Sequence, residues 1–292
     1  MNNLDKSPNG FRREMKTRIL VFILLLTQIT LAESFKFGVI GDAGLWNANT
    51  QSVQRSMINR QVNLLIMPGD NLYKGTYKEA WAPWINKNFE FSIVAIGNHN
   101  DGYQNEISFF RMPAEYYSKY FGQSEFLVLN SDNSRNVDEQ ISWLEEKLST
   151  SQSLHTFIVY HHPSLTIGSH KWTEKRQFQI KIRNLFKKYR NKITAVLVGH
   201  DHVAGLIHFD DLPIIVSGSV QSPDKSQAVN NTQEGIIVKT EILFSAAPYW
   251  VEQTIDDNSE FVIFDFIRAN DSKLLCTAKI KKGQKASYNC TN

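Results

Sequence analysis

Five short polar motifs follow one another along this chain, and each comes directly after an apolar run. Together they supply carboxylate, phenol, amide and imidazole side chains, the mixture of donors that iron, zinc and manganese accept. No single motif is specific, but the ordered set predicts a site for two adjacent metal ions. The motifs are Gly41-Asp42-Ala43-Gly44, Gly69-Asp70-Asn71-Leu72-Tyr73, Gly97-Asn98-His99, Tyr160-His161-His162-Pro163 and Gly199-His200-Asp201-His202.

The oxygen donors are the most informative of these side chains. Asp42 and Asp70 each follow a glycine, where a tight turn lets a carboxylate point back over a strand end, although either one alone would serve equally well as a capping residue. Tyr73 follows Asp70 closely, and a phenol with a pKa of about 10 is held as phenolate at neutral or acid pH only by a strongly Lewis-acidic ion. An isolated tyrosine would more simply be a half-buried aromatic side chain.

Three histidines supply the nitrogen donors. His200 and His202 are separated by one residue at the end of an apolar run, so one loop can reach two neighbouring ions. A single histidine is more often an ordinary partly buried side chain than a ligand. Beside His161, Asn98 and the two Gly-Asp turns, however, metal binding is the favoured interpretation.

Strand-like runs precede all five motifs, at residues 35–40, 64–67, 93–96, 157–160 and 195–198. An α/β sheet presents functional residues in this way, in loops at the carboxyl ends of its strands. Helical spacing of apolar residues predicts helices over 137–148 and 178–189. Further strands are predicted at 206–209, 213–216, 235–239, 261–267 and 274–280.

Basic residues on the second predicted helix have two interpretations, a binding strip or a solvated face. They fall between the apolar positions of the helix, which favours the solvated face. The residues are Lys181, Arg183, Lys187, Lys188 and Arg190.

Residues 1–32 have the composition of a secretory signal peptide, with a basic stretch, an apolar run at 19–26 and a small residue at Ala32. The apolar run is too short to favour a membrane span, which needs about 20 residues, so no stable span is expected after cleavage. The remaining residues 33–292 suit one large α/β domain. Secretion to the periplasm or the exterior is therefore expected, or a lysosomal or vesicular location in a eukaryotic host.

Charge and cysteine content support this prediction. The leader accounts for the formal net charge of +3, so the mature part offers no basic excess for binding nucleic acid. Cys276 and Cys290 would meet an oxidising compartment. One disulfide near the C-terminus is expected, with two free thiols as the alternative.

The motif set resembles that of the calcineurin-like metallophosphoesterases, and Tyr73 narrows the resemblance to the purple (tartrate-resistant) acid phosphatases. The resemblance covers residues 33–292 and implies a four-layer sandwich with two central mixed β-sheets flanked by helices. It also implies a ferric ion held by Asp42, Tyr73 and His202, a divalent iron, zinc or manganese ion held by Asn98, His161 and His200, and Asp70 bridging the two ions. The anionic oxygens around the first ion and the neutral donors around the second agree with that division.

The same resemblance implies catalytic roles for His99 and His170, which would hold a phosphate oxygen or protonate the leaving group. A histidine on a surface loop is the alternative for His170. Relatives usually have Asp or Glu after the histidine of the third motif, where this chain has Asn100, which leaves open how His99 is oriented. His162 is interpreted as a non-ligand.

The function implied is that of a secreted acid phosphatase with a binuclear metal centre, which hydrolyses phosphate monoesters by attack of a metal-bound hydroxide. Two alternatives stay open. A phosphodiesterase or nucleotidase would use the same ions with a wider pocket, and a non-catalytic scaffold would keep the fold without turnover.

Overall fold

The computed structural model describes residues 34–170, 175–224, 231–233 and 235–291. The predicted signal peptide, residues 1–32, lies outside these ranges and stays a prediction. Within the described ranges, no helix combines the length and apolar character that crossing a bilayer requires.

Two mixed seven-stranded β-sheets form the centre of the described part of the chain, which confirms the predicted α/β sandwich. In chain order the strands are β1 (Ser34–Val39), β2 (Leu64–Pro68), β3 (Glu90–Ala95), β4 (Tyr117–Phe121), β5 (Ser124–Val128), β6 (His155–Val159), β7 (Ala195–Val198), β8 (Ala204–Phe209), β9 (Leu212–Ser217), β10 (Asn231–Gln233), β11 (Ile236–Val238), β12 (Thr240–Phe244), β13 (Tyr249–Asp256), β14 (Phe261–Arg268), β15 (Lys273–Lys281) and β16 (Ser287–Cys290). The first sheet has the order β16-β15-β14-β13-β1-β2-β3 and the second has the order β12-β8-β9-β7-β6-β5-β4. The short strands β10 and β11 pair with each other.

The strands that carry the motifs run parallel within each sheet. β1, β2 and β3 are parallel neighbours in the first sheet, as are β6 and β7 in the second. Each of these strands matches a predicted one, and each is followed at once by its motif. Parallel strands end at the same edge of a sheet, so each sheet gathers its motifs at one edge.

The strand predicted at 235–239 is confirmed as β11, but β12, which begins directly after this range, is absent from the prediction. β11 pairs with β10, whereas β12 pairs with β8 in the second sheet. A change of partner at Lys239 divides a stretch whose residue types favour strand throughout.

Five α-helices connect the strands in the described ranges: α1 (Ala48–Asn59), α2 (Tyr77–Ile85), α3 (Tyr103–Phe110), α4 (Val137–Thr150) and α5 (Arg176–Tyr189). α4 and α5 confirm the two helices predicted from apolar spacing. α1 gives little apolar signal because Thr50, Ser52 and Ser56 belong to its buried face. Its first turn is instead fixed by a capping box between Asn47 and Thr50.

The interpretation of the basic residues of α5 as a solvated face was wrong for Arg183. This side chain is 4% exposed, and its Nη1 donates a hydrogen bond to the Ser164 carbonyl at 2.6 Å. The loop that follows β6 covers this side of α5, and the spacing of residues along the helix does not predict this contact.

Side chains of the second sheet alternate between two hydrophobic cores. Phe157 and Val159 of β6 belong to the core shared with the first sheet, whereas Ile158 belongs to the core under α4 and α5. Phe157 contacts Phe264 of the first sheet edge to face, with 6.4 Å between ring centroids. The period of two along the strand therefore builds both interfaces of the sheet.

The predicted disulfide is confirmed. Cys276 of β15 lies directly opposite Cys290 of β16, and the two are bonded. The bond ties the outermost strand of the first sheet to its neighbour.

Candidate metal centre

The turns after β1, β2 and β7 share an unusual backbone conformation. Asp42, Asp70 and His200 have φ values of +55°, +57° and +67°. Residues other than glycine rarely adopt this left-handed backbone conformation, and a strained residue persists only where its surroundings hold it there. Three of the candidate ligands are therefore positioned by sharp turns at strand ends.

Glycine permits the close approach of these turns. A Cβ at Gly97 would lie 2.2 Å from the Asp70 nitrogen, and one at Gly199 would lie 2.7 Å from Asp42 Oδ2. At either distance the Cβ atom would clash, so a residue with a side chain cannot replace either glycine without a shift of its surroundings. The glycines of the third and fifth motifs thus let the loops of the two sheets pack against the carboxylates.

The first group of side chains, the phenol cluster, comprises Asp42, Tyr73 and His202. Tyr73 Oη lies 3.0 Å from Asp42 Oδ1 and 3.2 Å from His202 Nε2. His202 Nε2 lies 3.4 Å from Asp42 Oδ1. The structure thus brings together the three residues expected to hold a ferric ion.

The second group, the amide cluster, comprises Asn98, His161 and His200. His161 Nε2 lies 3.1 Å from Asn98 Oδ1 and 3.2 Å from His200 Nδ1. Asp70 contacts both clusters, since its Oδ2 lies 2.9 Å from Tyr73 Oη and its Oδ1 lies 3.1 Å from His161 Nε2. All seven predicted ligands therefore meet, with Asp70 in the bridging position.

Backbone hydrogen bonds orient the ligands. The His200 amide donates to Asp42 Oδ2 at 2.8 Å, and the His99 amide donates to Asp70 Oδ1 at 2.8 Å. His161 Nδ1 lies 2.9 Å from the Pro68 carbonyl, which only accepts, so Nδ1 carries the proton. Nε2 of His161 is thereby directed to the centre of the amide cluster.

Electrostatics at the site favour a cation. Burial raises the pKa of the Asp70 carboxyl, but the charge and hydrogen bond of His161 outweigh burial and lower the pKa overall. Burial lowers the pKa of His161, but Asp70 and Asp42 raise it to about 9. When no other positive charge is near, the buried carboxylates of Asp42 and Asp70 thus keep His161 protonated. A metal ion fits this environment because it supplies the positive charge instead.

The charges of the same carboxylates also act on the phenol of Tyr73. Burial and the charges of Asp42 and Asp70 raise the pKa of Tyr73. In the amide cluster, burial and His161 lower the pKa of His200 to about 2, so its imidazole is neutral and can act as a donor. A phenolate at Tyr73 therefore needs a strongly Lewis-acidic ion, whereas the amide cluster offers neutral donors beside the shared Asp70 carboxylate.

The two predicted catalytic histidines lie at the rim of the site. The ring of His99 is exposed and stacks on Tyr73, with 4.3 Å between centroids. The ring of His170 lies 4.2 Å from that of His200 and 5.5 Å from that of His202. Both imidazoles are therefore next to the ligand set, His99 at the phenol cluster and His170 between His200 and His202.

Asn100 closes the loop that carries His99. Its Nδ2 donates to the Gly97 carbonyl at 2.8 Å, and its Oδ1 accepts from the Gly102 amide at 2.8 Å. The His99 ring itself stacks on Tyr73, and its backbone amide donates to Asp70.

The remaining histidine of the fourth motif is also close to the ligands. His162 is buried, and its Nδ1 lies 2.9 Å from Ser131 Oγ. Donor atoms of His161, His162 and His200 lie within 4.8 Å of one another. Its burial and the neighbouring His161 and His200 hold the pKa of His162 well below the ordinary value, so this imidazole is neutral.

Two buried carboxylates behind the ligands escaped prediction. Glu106 of α3 accepts hydrogen bonds from Asn71 Nδ2 at 2.6 Å and from Tyr77 Oη at 3.1 Å, which ties α2 and α3 to the turn that carries Asp70. Asp201, between the two ligands of the fifth motif, accepts from two backbone amides of the loop that carries His170. No pattern in the sequence identifies Glu106 as a buried residue of the site, whereas Asp201 lies within the fifth polar motif.

The fold and the arrangement of candidate ligands are those of the metallophosphoesterases. The family model for the calcineurin-like phosphoesterases matches residues 35–204, and this chain belongs to that family. Calcineurin-like phosphoesterases use binuclear metal centres and act on phosphate esters. One curated relative is purple acid phosphatase 5 of Arabidopsis thaliana, 24% identical over 188 residues, or 58% of this chain. The matched region spans 43% of that relative, which is less than half of its length.

Solved structures with the same fold have diverse descriptions. GAP50, the anchor in the inner membrane complex of Plasmodium, matches with a TM-score of 0.69 and 15% identity over 86% of this chain and 90% of its own. A purple acid phosphatase from yellow lupin (Lupinus luteus) seeds matches with a TM-score of 0.65 and 13% identity over 86% of this chain and 54% of its own. A dimetal phosphatase from Danio rerio matches with a TM-score of 0.55 and 10% identity over 88% and 99%. At these identities the likeness shows the fold alone.

Proposed function

We propose that this protein is a purple-type acid phosphatase, which hydrolyses phosphate monoesters at a centre of one ferric and one divalent ion. The observation that carries the proposal is the position of Tyr73, whose phenol oxygen lies within 3.2 Å of Asp42, Asp70 and His202. The phenol has one proton to donate and faces two carboxylates, Asp42 and Asp70, so it cannot satisfy both, whereas a trivalent ion would bind all of these oxygens. The match to purple acid phosphatase 5 supports the same assignment.

The donor set fits two ions of unequal charge. Asp42, Tyr73 and His202 would hold ferric iron, Asn98, His161 and His200 would hold iron, zinc or manganese in the divalent state, and Asp70 would contact both. When bound, the two ions supply Lewis acidity that lowers the pKa of water and offsets charge on the phosphoryl oxygens.

The rim histidines act on the substrate. His99 and His170 both lie next to the candidate ligands, where each can donate a hydrogen bond to a phosphoryl oxygen or a proton to the ester oxygen of the leaving group. Stacking on Tyr73 restricts rotation of the His99 ring, so less orientation is lost when substrate binds.

The test is metal analysis, a visible spectrum and an assay of the purified chain. One iron and one divalent ion per chain, a broad visible charge-transfer band and preferential hydrolysis of p-nitrophenyl phosphate over bis(p-nitrophenyl) phosphate are expected. A colourless protein with two zinc ions would contradict the ferric assignment. Preferential hydrolysis of the diester would favour a phosphodiesterase or nucleotidase.

A non-catalytic anchor is the rival function, because GAP50, which shares this fold, is described as an anchor. The complete ligand set favours the enzyme, since a scaffold has no need to keep seven metal-binding side chains in contact. A metal-loaded protein without activity on monoesters or diesters would establish the anchor in place of the phosphatase.

We also propose that the mature protein is secreted after removal of residues 1–32. The composition of this stretch supports the proposal. N-terminal sequencing of the protein from the culture medium should give Glu33 as the first residue, and retention of the full chain inside the cell would contradict it.

A further inference from the structure

Asp201 separates two candidate ligands, His200 and His202, yet its own hydrogen bonds go elsewhere. The carboxylate is fully buried, and its Oδ2 accepts from the Ile167 amide at 2.7 Å and from the Gly168 amide at 3.0 Å. Both amides belong to the loop at 163–169, called here the 163–169 loop, which leads directly to His170. A carboxyl oxygen can accept from two backbone amides whether or not the group is ionised.

Close packing accompanies these bonds. A Cβ at Gly168 would lie 2.8 Å from the Cβ of Asp201 and 2.9 Å from its Cγ. Only glycine lets the loop backbone approach the Asp201 side chain so closely. The sequence of the loop is thus adapted to this contact.

Side chains from other elements hold the rest of the 163–169 loop. Gln179 of α5 donates to the Pro163 carbonyl at 2.8 Å, and Gln233 of β10 bonds both the amide and the carbonyl of Thr166, at 3.0 Å and 2.7 Å. Ser169 Oγ donates to Asp224. Among these anchors, Asp201 is the one that belongs to the ligand-bearing turn itself.

We propose that Asp201 is a positioning residue that fixes the 163–169 loop to the metal-binding turn and so places His170 over the site. The chain of contacts runs from His200 and His202, through Asp201, to Ile167 and Gly168, and then to His170, whose ring lies 4.2 Å from that of His200. One rigid turn therefore sets the positions of both the metal ligands and the substrate-facing imidazole. The catalytic part of this inference rests on the proposed function.

The test compares Asp201→Ala with Asp201→Asn in the metal-loaded protein. Asparagine can place a carbonyl oxygen at the position of Oδ2 and accept from both amides, whereas alanine cannot. Asp201→Ala is expected to lower kcat/KM by ~10–10²-fold, the usual cost of a small misplacement in an active site, while Asp201→Asn restores most of the activity. Metal content should match the wild type in both variants.

A double variant shows whether Asp201 acts through His170. If it does, Asp201→Ala combined with His170→Ala should be no slower than His170→Ala alone, because the misplaced group is already absent. Multiplicative losses, loss of metal in Asp201→Ala, or an Asp201→Asn variant as slow as Asp201→Ala would each overturn the proposal. Should Asp201→Ala fail to fold, Gly168→Ala displaces the same contact while keeping the carboxylate and should show the same dependence on His170.

Amide hydrogen exchange supplies a readout independent of activity. Peptides covering 163–170 should lose protection in Asp201→Ala and keep it in Asp201→Asn. Asp257→Ala is the matched control, since Asp257 Oδ1 accepts from the Gln123 amide at 3.0 Å in a turn outside the metal centre. Its effect should be confined to the region of Gln123. If the wild type shows no phosphatase activity, the proposed function fails, whereas unchanged exchange at 163–170 would refute the positioning role by itself.

Discussion

The two sheets contribute chemically different halves of the candidate metal centre. The first sheet supplies the candidate oxygen ligands, Asp42, Asp70, Tyr73 and Asn98, and the second supplies the imidazoles, His161, His200 and His202. Hydrogen bonds to backbone carbonyls join the halves. The Gly41 amide donates to the Ser217 carbonyl at 2.7 Å, and His161 Nδ1 donates to the Pro68 carbonyl at 2.9 Å.

Each proposed ion would take ligands from both halves. His202 of the second sheet completes the phenol cluster, and Asn98 of the first sheet completes the amide cluster. The candidate centre therefore lies at the junction of the two sheets as well as being the proposed reaction site. Because the halves differ, neither sheet alone carries a metal site. The first sheet alone would leave buried carboxylates without a counter-charge, and the second alone would leave neutral imidazoles without an anion.

Asp70→Asn should have the largest effect, because Asp70 contacts both clusters and loses its negative charge. Affinity for both ions should fall by more than ~10²-fold, beyond the usual cost of losing a residue that only supports a ligand, and nearly all activity should go with it. Metal analysis after dialysis and the p-nitrophenyl phosphate assay measure the two losses. Two retained ions with near-normal turnover would show that Asp70 does not bridge.

Tyr73→Phe tests the phenol cluster alone. Phenylalanine keeps the ring that stacks on His99 and removes only the oxygen, so the visible charge-transfer band should disappear while zinc binding in the amide cluster persists. Visible spectroscopy together with metal analysis checks this result. Persistence of the band in the variant would assign the colour to another ligand.

His99→Ala should lower kcat by ~10²–10⁴-fold, the usual worth of a positioned acid or base, with the metal content unchanged. His99→Phe is the matched variant, because it keeps a ring against Tyr73 and removes the nitrogens. Equal losses in both variants are expected from steady-state kinetics. Recovery of activity in His99→Phe would mean that stacking, and not proton transfer, is what His99 contributes.

Metal removal should lower the stability of the folded protein, because each ion would join the two sheets. An ion present at a hundred times its Kd adds about 2.7 kcal/mol to the free energy of unfolding. Thermal unfolding with and without a chelator should therefore differ by several degrees, and restoring the ions should reverse the change. Equal melting temperatures would show that the sheets do not depend on the centre.

Asn100→Asp should have the smallest effect. Aspartate can still accept from the Gly102 amide but cannot donate to the Gly97 carbonyl, so one hydrogen bond worth about 1 kcal/mol is lost from the loop that carries Asn98 and His99. We expect kcat to change by less than ~10-fold, with a shifted pH optimum and normal metal content. A large gain in kcat would show that His99 lacks a carboxylate partner in the natural chain.

Much of this molecule follows from local pattern. Apolar runs that end in polar motifs predict β1, β2, β3, β6 and β7 with only small errors in their bounds, because a strand buried on both faces must be continuously apolar. The spacing of apolar residues predicts α4 and α5 for a similar reason. The residue types of the motifs were enough to name the seven candidate ligands.

Local pattern was insufficient wherever a partner distant in sequence decides the outcome. The buried face of α1 is polar, so its helix is visible only through its cap. Arg183 is covered by the loop after β6, and no spacing rule distinguishes it from the exposed Lys187 on the same helix. Glu106 is buried because Asn71 and Tyr77 converge on it.

By itself, then, the sequence determined the types of the candidate ligands and the strands that carry them, and it favoured a disulfide between Cys276 and Cys290. Only the tertiary structure decided that the carboxylates of one sheet meet the imidazoles of the other, that the ring of His99 stacks on Tyr73, and that Asp201 accepts hydrogen bonds from the loop of His170. The physical reason is the distance along the chain over which each of these effects acts. Side-chain polarity and periodicity act within a strand or helix, whereas burial, charge pairing and hydrogen bonds across the sheets exist only after the chain has folded.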